Sequence, residues 1–107
     1  MLKRNRVLMM LALLPIVVFG TDNNLSGNIK DGNSGYPLAY VNIIFEGTNI
    51  GTATDKYGNF SMTKIPFEQG ELRITMIGYE PVSKFIQFPV EAPVKIHLER
   101  TLIEMSS

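Results

Sequence analysis

Apolar residues recur at every second position of this chain, which restricts it to half-buried strands, because successive strand side chains point to opposite faces. Residues 94–99 show the pattern without interruption: Val94, Ile96 and Leu98 alternate with Lys95, His97 and Glu99. The same period sets Leu72, Ile74 and Met76 against Arg73 and Thr75, and Phe60 and Met62 against Ser61 and Thr63. Val41, Ile43 and Phe45 share one face, with Tyr40 and Asn42 on the other. Over 82–88 the alternation weakens, since Phe85 falls on the polar side of a set that turns Val82, Ile86 and Phe88 inward. No stretch carries the spacing of an amphipathic helix.

Glycine, proline and asparagine punctuate these runs at intervals that suit short strands. The spacing predicts strands over residues 25–30, 38–45, 50–54, 59–64, 71–77, 82–88 and 94–99. Asp31, Gly32, Asn33, Ser34 and Gly35 form one predicted turn, and Asp55, Lys56, Tyr57 and Gly58 another that joins its flanking strands into a hairpin. Seven short strands of this kind predict an all-β fold, a small antiparallel β-sandwich.

Lys3, Arg4 and Arg6 lead into an apolar run over residues 7–19, and Val18 and Gly20 supply small residues before a cleavage point. That is the pattern of a secretory signal peptide over residues 1–20. Interrupted by Pro15, the run falls short of the roughly 20 residues a spanning helix needs. No transmembrane segment is expected after cleavage. Removing residues 1–20 leaves seven basic against ten acidic residues, a net charge of −3. An acidic surface without basic patches excludes nucleic acid as a partner. With no cysteine, the chain has neither a disulfide nor a site for lipid attachment, and the fold rests on its core alone.

Little in the sequence points to chemistry. His97 is the single histidine and lies on a predicted solvent face, whereas a zinc site needs three or four ligands and a triad needs a positioned nucleophile and base. Neither Asp31-Gly32-Asn33 nor the stretch from Asp55 to Asn59 offers the alternating oxygen ligands of a calcium loop, so both read as turns. No catalytic residue, cofactor or metal is expected. Asn24-Leu25-Ser26 and Asn59-Phe60-Ser61 match the glycosylation pattern. Tyr36, Tyr40, Tyr57 and Tyr79, read as exposed, form a candidate contact surface for a carbohydrate or a protein.

The order of these segments resembles the carboxypeptidase regulatory-like domain, a transthyretin-like (prealbumin-like) β-sandwich. The resemblance rests on Gly27 in the first strand and on Asp31, Gly35, Pro37 and Leu38 around the first turn. It continues through Val41-Asn42-Ile43, Gly47-Thr48, the run Gly51, Thr52, Thr54, Asp55, Gly58 and Phe60, and Ile77-Gly78-Tyr79. It covers residues 25–99 and implies a non-catalytic module. The setting it implies is the extension before the plug of TonB-dependent outer-membrane receptors, including SusC-like glycan importers, in the envelope of a Gram-negative bacterium. Neither a peptidase domain nor a barrel accompanies it in this sequence. The related hydroxyisourate hydrolases rely on several histidines, and this chain has one.

Two function classes follow. One is an accessory domain of the receptor type, present as a short or truncated gene product, with the TonB system or a receptor complex as partner. The other is a stand-alone exported module, in the periplasm or at the surface, that binds a glycan or protein. Residues 100–107 are expected to be a flexible tail, and Leu102, Ile103, Glu104 and Met105 resemble the opening of a TonB box. Mass spectrometry of the exported protein should find its N-terminus at or near Thr21. Recovery of the intact Met1 form in membranes alone would contradict the signal peptide.

Overall fold

The period-two pattern becomes seven strands in the computed structural model, which describes residues 22–102. The expected signal peptide at residues 1–20 and the tail residues 103–107 lie outside the described residues. In chain order the strands are β1 (Asn23–Asp31), β2 (Asn42–Phe45), β3 (Gly51–Ala53), β4 (Asn59–Ile65), β5 (Gln69–Thr75), β6 (Val82–Gln87) and β7 (Val94–Leu98). One sheet has the order β4-β1-β7 and the other β3-β2-β5-β6. Every pairing is antiparallel except β1 with β7, which run parallel from Gly27 opposite Val94 to Asp31 opposite Leu98. The expected β-sandwich is therefore present.

Between the sheets the inward series of each strand meets the others: Leu25 and Ile29 of β1, Phe60 and Met62 of β4, and Ile96 and Leu98 of β7 from one side. Ile43 and Phe45 of β2, Leu72 and Ile74 of β5 and Ile86 of β6 come from the other. Phe45 lies edge-on to Phe67 with ring centroids 5.0 Å apart, closing the core at the pole where β1 begins. Gly27 is required where it stands. A Cβ there would come within 2.5 Å of both the Phe60 ring and the Val94 carbonyl oxygen, so only glycine lets β4 and β7 close on β1 at this level.

Three expectations change. The strands flanking the turn at Asp55 to Gly58 do not form a hairpin: β3 pairs with β2 in one sheet, and β4 pairs with β1 in the other. The turn carries the chain from one sheet to the other. Likewise β2 starts at Asn42 and not at residue 38, although Leu38 and Val41 are both buried. Leu38 donates its N–H to the Ile29 carbonyl on one sheet, whereas Tyr40, with a φ of 60°, bonds to the Thr54 carbonyl beside the other. A segment spanning two sheets cannot keep a single ladder.

The third change lengthens β4. Asn23 pairs with Ile65 and Leu25 with Met62, so three steps on β4 oppose two on β1. Lys64, with a φ of 55°, forms this bulge and turns Ile65 inward, where it is fully buried.

Phe60 is 4% exposed and fills the space above Gly27. Phe60→Ala should destabilise the domain by about 3 to 5 kcal/mol, as for other buried aromatic truncations. Chemical denaturation with an unchanged slope will check this. A loss below about 1 kcal/mol would mean that the site collapses around the gap.

Candidate functional site

Strand directions bring the polar and aromatic candidates to one pole of the sandwich. Because β1 and β7 are parallel, both end there, at Asp31 and Leu98, while β4 begins there at Asn59. In the opposite sheet, β2 begins and β5 ends at this pole, where Asn42 faces Thr75. The connections from residues 32–41, 54–58 and 76–81 therefore crowd together. The stretch after β7 joins them, since Thr101 donates to the Gly78 carbonyl at 2.9 Å and Glu80 to that of Glu99 at 2.8 Å.

The centre of this pole is the carboxylate of Asp31, which is 1% exposed. Its Oδ1 accepts the N–H groups of Asn33 and Ser34, each at 2.8 Å. Its Oδ2 accepts the Tyr79 hydroxyl at 2.6 Å and Arg100 Nε at 3.0 Å. Four donors match the acceptor capacity of an ionised carboxylate, so the charge is buried without an unsatisfied lone pair. The Tyr79 hydroxyl, the Ser34 N–H and the Arg100 guanidinium hold the Asp31 carboxyl well below the usual carboxylate range, against the opposing effect of burial. For the same reason, the hydrogen bond to Asp31 raises the Tyr79 phenol above its ordinary value, and the Arg100 guanidinium is raised as well.

This cluster departs from the sequence expectation in one respect. Tyr79, read as exposed, is half-buried and spends its hydroxyl on Asp31. The sequence carried a signal for the cluster. Asp31 has the inward parity of Leu25 and Ile29 and continues their buried series past the point where apolar residues stop, and Arg100 has the parity of Ile96 and Leu98 although most of its side chain is exposed.

Thr54 is the second buried polar anchor and was missed by the sequence reading. Its Oγ1 accepts the Val41 N–H at 2.9 Å and donates to the Leu38 carbonyl at 2.7 Å, fixing the segment that crosses between the sheets. Next to it, Asp55 Oδ1 accepts the N–H groups of Tyr57 and Asn59. Gly58 adopts a φ of 80° and packs so closely on the Ile29 carbonyl that a Cβ would stand 2.6 Å from its oxygen. The turn thus uses its carboxylate on its own backbone.

The remaining tyrosines are exposed: Tyr36 by 73%, Tyr40 by 75% and Tyr57 by 61%, with Lys56 Nζ 5.2 Å from the Tyr57 ring centroid. Ile77 and Leu102, both almost fully exposed, share their pole. Ile103, Glu104 and Met105 lie outside the described residues. His97 is exposed on the far face of the three-stranded sheet, opposite Lys30. Among the described residues, no three histidine, aspartate or glutamate side chains come together as metal ligands.

The depressed pKa of Asp31 fixes a pH window. In the unfolded chain an aspartate titrates near 3.9, so below about pH 4 that state takes up protons that the folded state excludes. The contribution of Asp31 to stability is fully present above that range and is lost as pH falls through it toward the folded value. Melting temperatures from pH 7 to pH 2 should therefore show wild type well above Asp31→Asn near neutrality, with the gap closing below about pH 4. A gap independent of pH would contradict the assignment.

A family model described as CarboxypepD_reg-like domain matches residues 25–107. The chain is 33% identical to the TonB-dependent receptor SusC of Bacteroides thetaiotaomicron over 98 residues, with the match covering 88% of this chain and 9% of that receptor. It is 39% identical to the TonB-dependent receptor P39 of Formosa agariphila over 87 residues, covering 74% of this chain and 8% of that receptor. The chain thus spans less than a tenth of the length of the relatives it matches. On these grounds the chain belongs to the CarboxypepD_reg-like domain family.

Proposed function

We propose that this domain is a non-catalytic module of a TonB-dependent receptor, exported by residues 1–20 and placed ahead of the receptor's plug and barrel on the periplasmic side of the outer membrane. The observation that carries the reading is the disparity in coverage: the match takes in most of this chain and 9% of SusC, as expected for one appended domain. The chemistry of the pole supports a structural role, because the buried groups of Asp31 and Thr54 are spent on backbone, on the Tyr79 hydroxyl and on the exposed Arg100. Substrate passage belongs to the rest of such a receptor, since a membrane barrel needs at least eight strands and this sandwich is filled by its own side chains.

In this reading the chain beyond Arg100 leads toward a TonB-contacting segment that begins at Leu102, Ile103, Glu104 and Met105. Strand addition to a partner needs consecutive backbone groups and side-chain anchors, and the apolar residues around Glu104 in this sequence supply anchors of that kind. The exposed Tyr36, Tyr40 and Tyr57 favour a second reading, a stand-alone module that holds a glycan or protein on its aromatic surface.

One titration separates them. With the 15N-labelled chain, the periplasmic domain of TonB should perturb signals from residue 101 onward, weakly, and more tightly once the downstream receptor sequence is attached. Oligosaccharides should leave the three tyrosines unmoved. Saturable glycan shifts at Tyr36, Tyr40 and Tyr57 would establish the second reading instead, and tight TonB binding to the sheet faces would sink the first.

A further inference from the structure

We infer that the sandwich is built to bear tension along the chain, from its incoming residue at one pole to its outgoing residue at the other. The inference rests on strand order and direction, independently of the function proposed above. The described chain starts at β1, whose first residue lies at the pole of Phe45 and Phe67, and leaves after β7 at the pole of Asp31. These two strands are neighbours in one sheet and parallel. Pulling on residues 22 and 102 therefore draws β1 and β7 in opposite senses along their shared axis.

Under that load, the ladder hydrogen bonds lie across the direction of pull. They share the force and cannot open one after another as in a zipper. The five register pairs from Gly27 opposite Val94 to Asp31 opposite Leu98, extended by the Gly32 N–H to the Leu98 carbonyl at 2.9 Å, must fail together. Slippage offers no relief. A shift of one residue would turn Ile96 and Leu98 out to solvent, and a shift of two, about 7 Å, would drag them through a close-packed core. Extracting β1 is harder still, because it is central and must slide past β4 as well.

The Asp31 cluster keeps the load in this direction. Arg100 is bonded to Asp31 and Thr101 to Gly78, so the outgoing chain is pinned at the end of β1 and cannot lever β7 sideways from its last residue.

The chain has no cysteine, so pairs of introduced cysteines provide unique handles for single-molecule pulling. Asp22→Cys with Leu102→Cys loads the two strands in shear. Asn33→Cys with Leu102→Cys loads the same strands from one pole, where they peel apart. At equal pulling speed the first pair should rupture at a force at least about threefold higher than the second. Its rupture should occur in one step, releasing roughly 250 Å of chain at about 3.6 Å per residue less the folded span. Should Asn33→Cys disturb the turn, Tyr36→Cys gives the same peeling geometry from a side chain that is exposed. Equal forces in the two geometries, or a shear trace that opens with a short release from β7 alone, would overturn the inference.

Discussion

Four donors converge on one buried carboxylate, and the rest of the pole is arranged around that fact. Asp31 ends β1, its Oδ1 shapes the turn through Asn33 and Ser34, and its Oδ2 reaches the β5–β6 connection through Tyr79 and the chain after β7 through Arg100. Three segments far apart in sequence are thereby fixed to one point. A buried charge of this kind is tolerated only when every lone pair is met, and removing any donor leaves a desolvated oxygen behind. The cluster thus ties together the segments at this end of the sandwich, as the aromatic packing of Phe45 and Phe67 closes the core at the other.

The recurring residues of the family pattern have physical reasons in this chain that do not involve a ligand. Gly27 clears space for Phe60, and Gly51 lies so close to the Ile43 carbonyl that a Cβ would approach its oxygen at 2.6 Å. Thr54 ties Leu38 to Val41, Asp55 caps its own turn, and Gly78, with a φ of 91°, lets the chain reverse so that Tyr79 reaches Asp31. A pattern of this sort specifies a scaffold.

Much of the sandwich was legible in the sequence because period-two alternation follows directly from strand geometry: β5 and β7, with one face in the core and one in water, announce themselves. The β3–β4 connection was not legible. A turn with Asp55 and Gly58 looks the same whether its flanking strands pair or part, since sheet membership depends on long-range partners and not on local propensity. Ile65 escaped for a related reason: the bulge at Lys64 shifts parity by one, which no alternation count anticipates. Asp31 and Arg100 carried the inward parity, but a charged residue at a strand end reads as solvated until its partners are in view. The resemblance supplied Asp31 and Tyr79 as pattern positions without saying that they touch.

The bulge at Lys64 has a further consequence for how copies of this protein behave toward one another. β4 is an edge strand, and an edge presents unpaired N–H and C=O groups on which a second chain could continue the ladder. A left-handed residue in that row breaks its regular spacing, and a lysine at the break adds charge where an intruding strand would have to lie. The irregularity that seats Ile65 in the core therefore also guards the protein against growing into fibres along that edge.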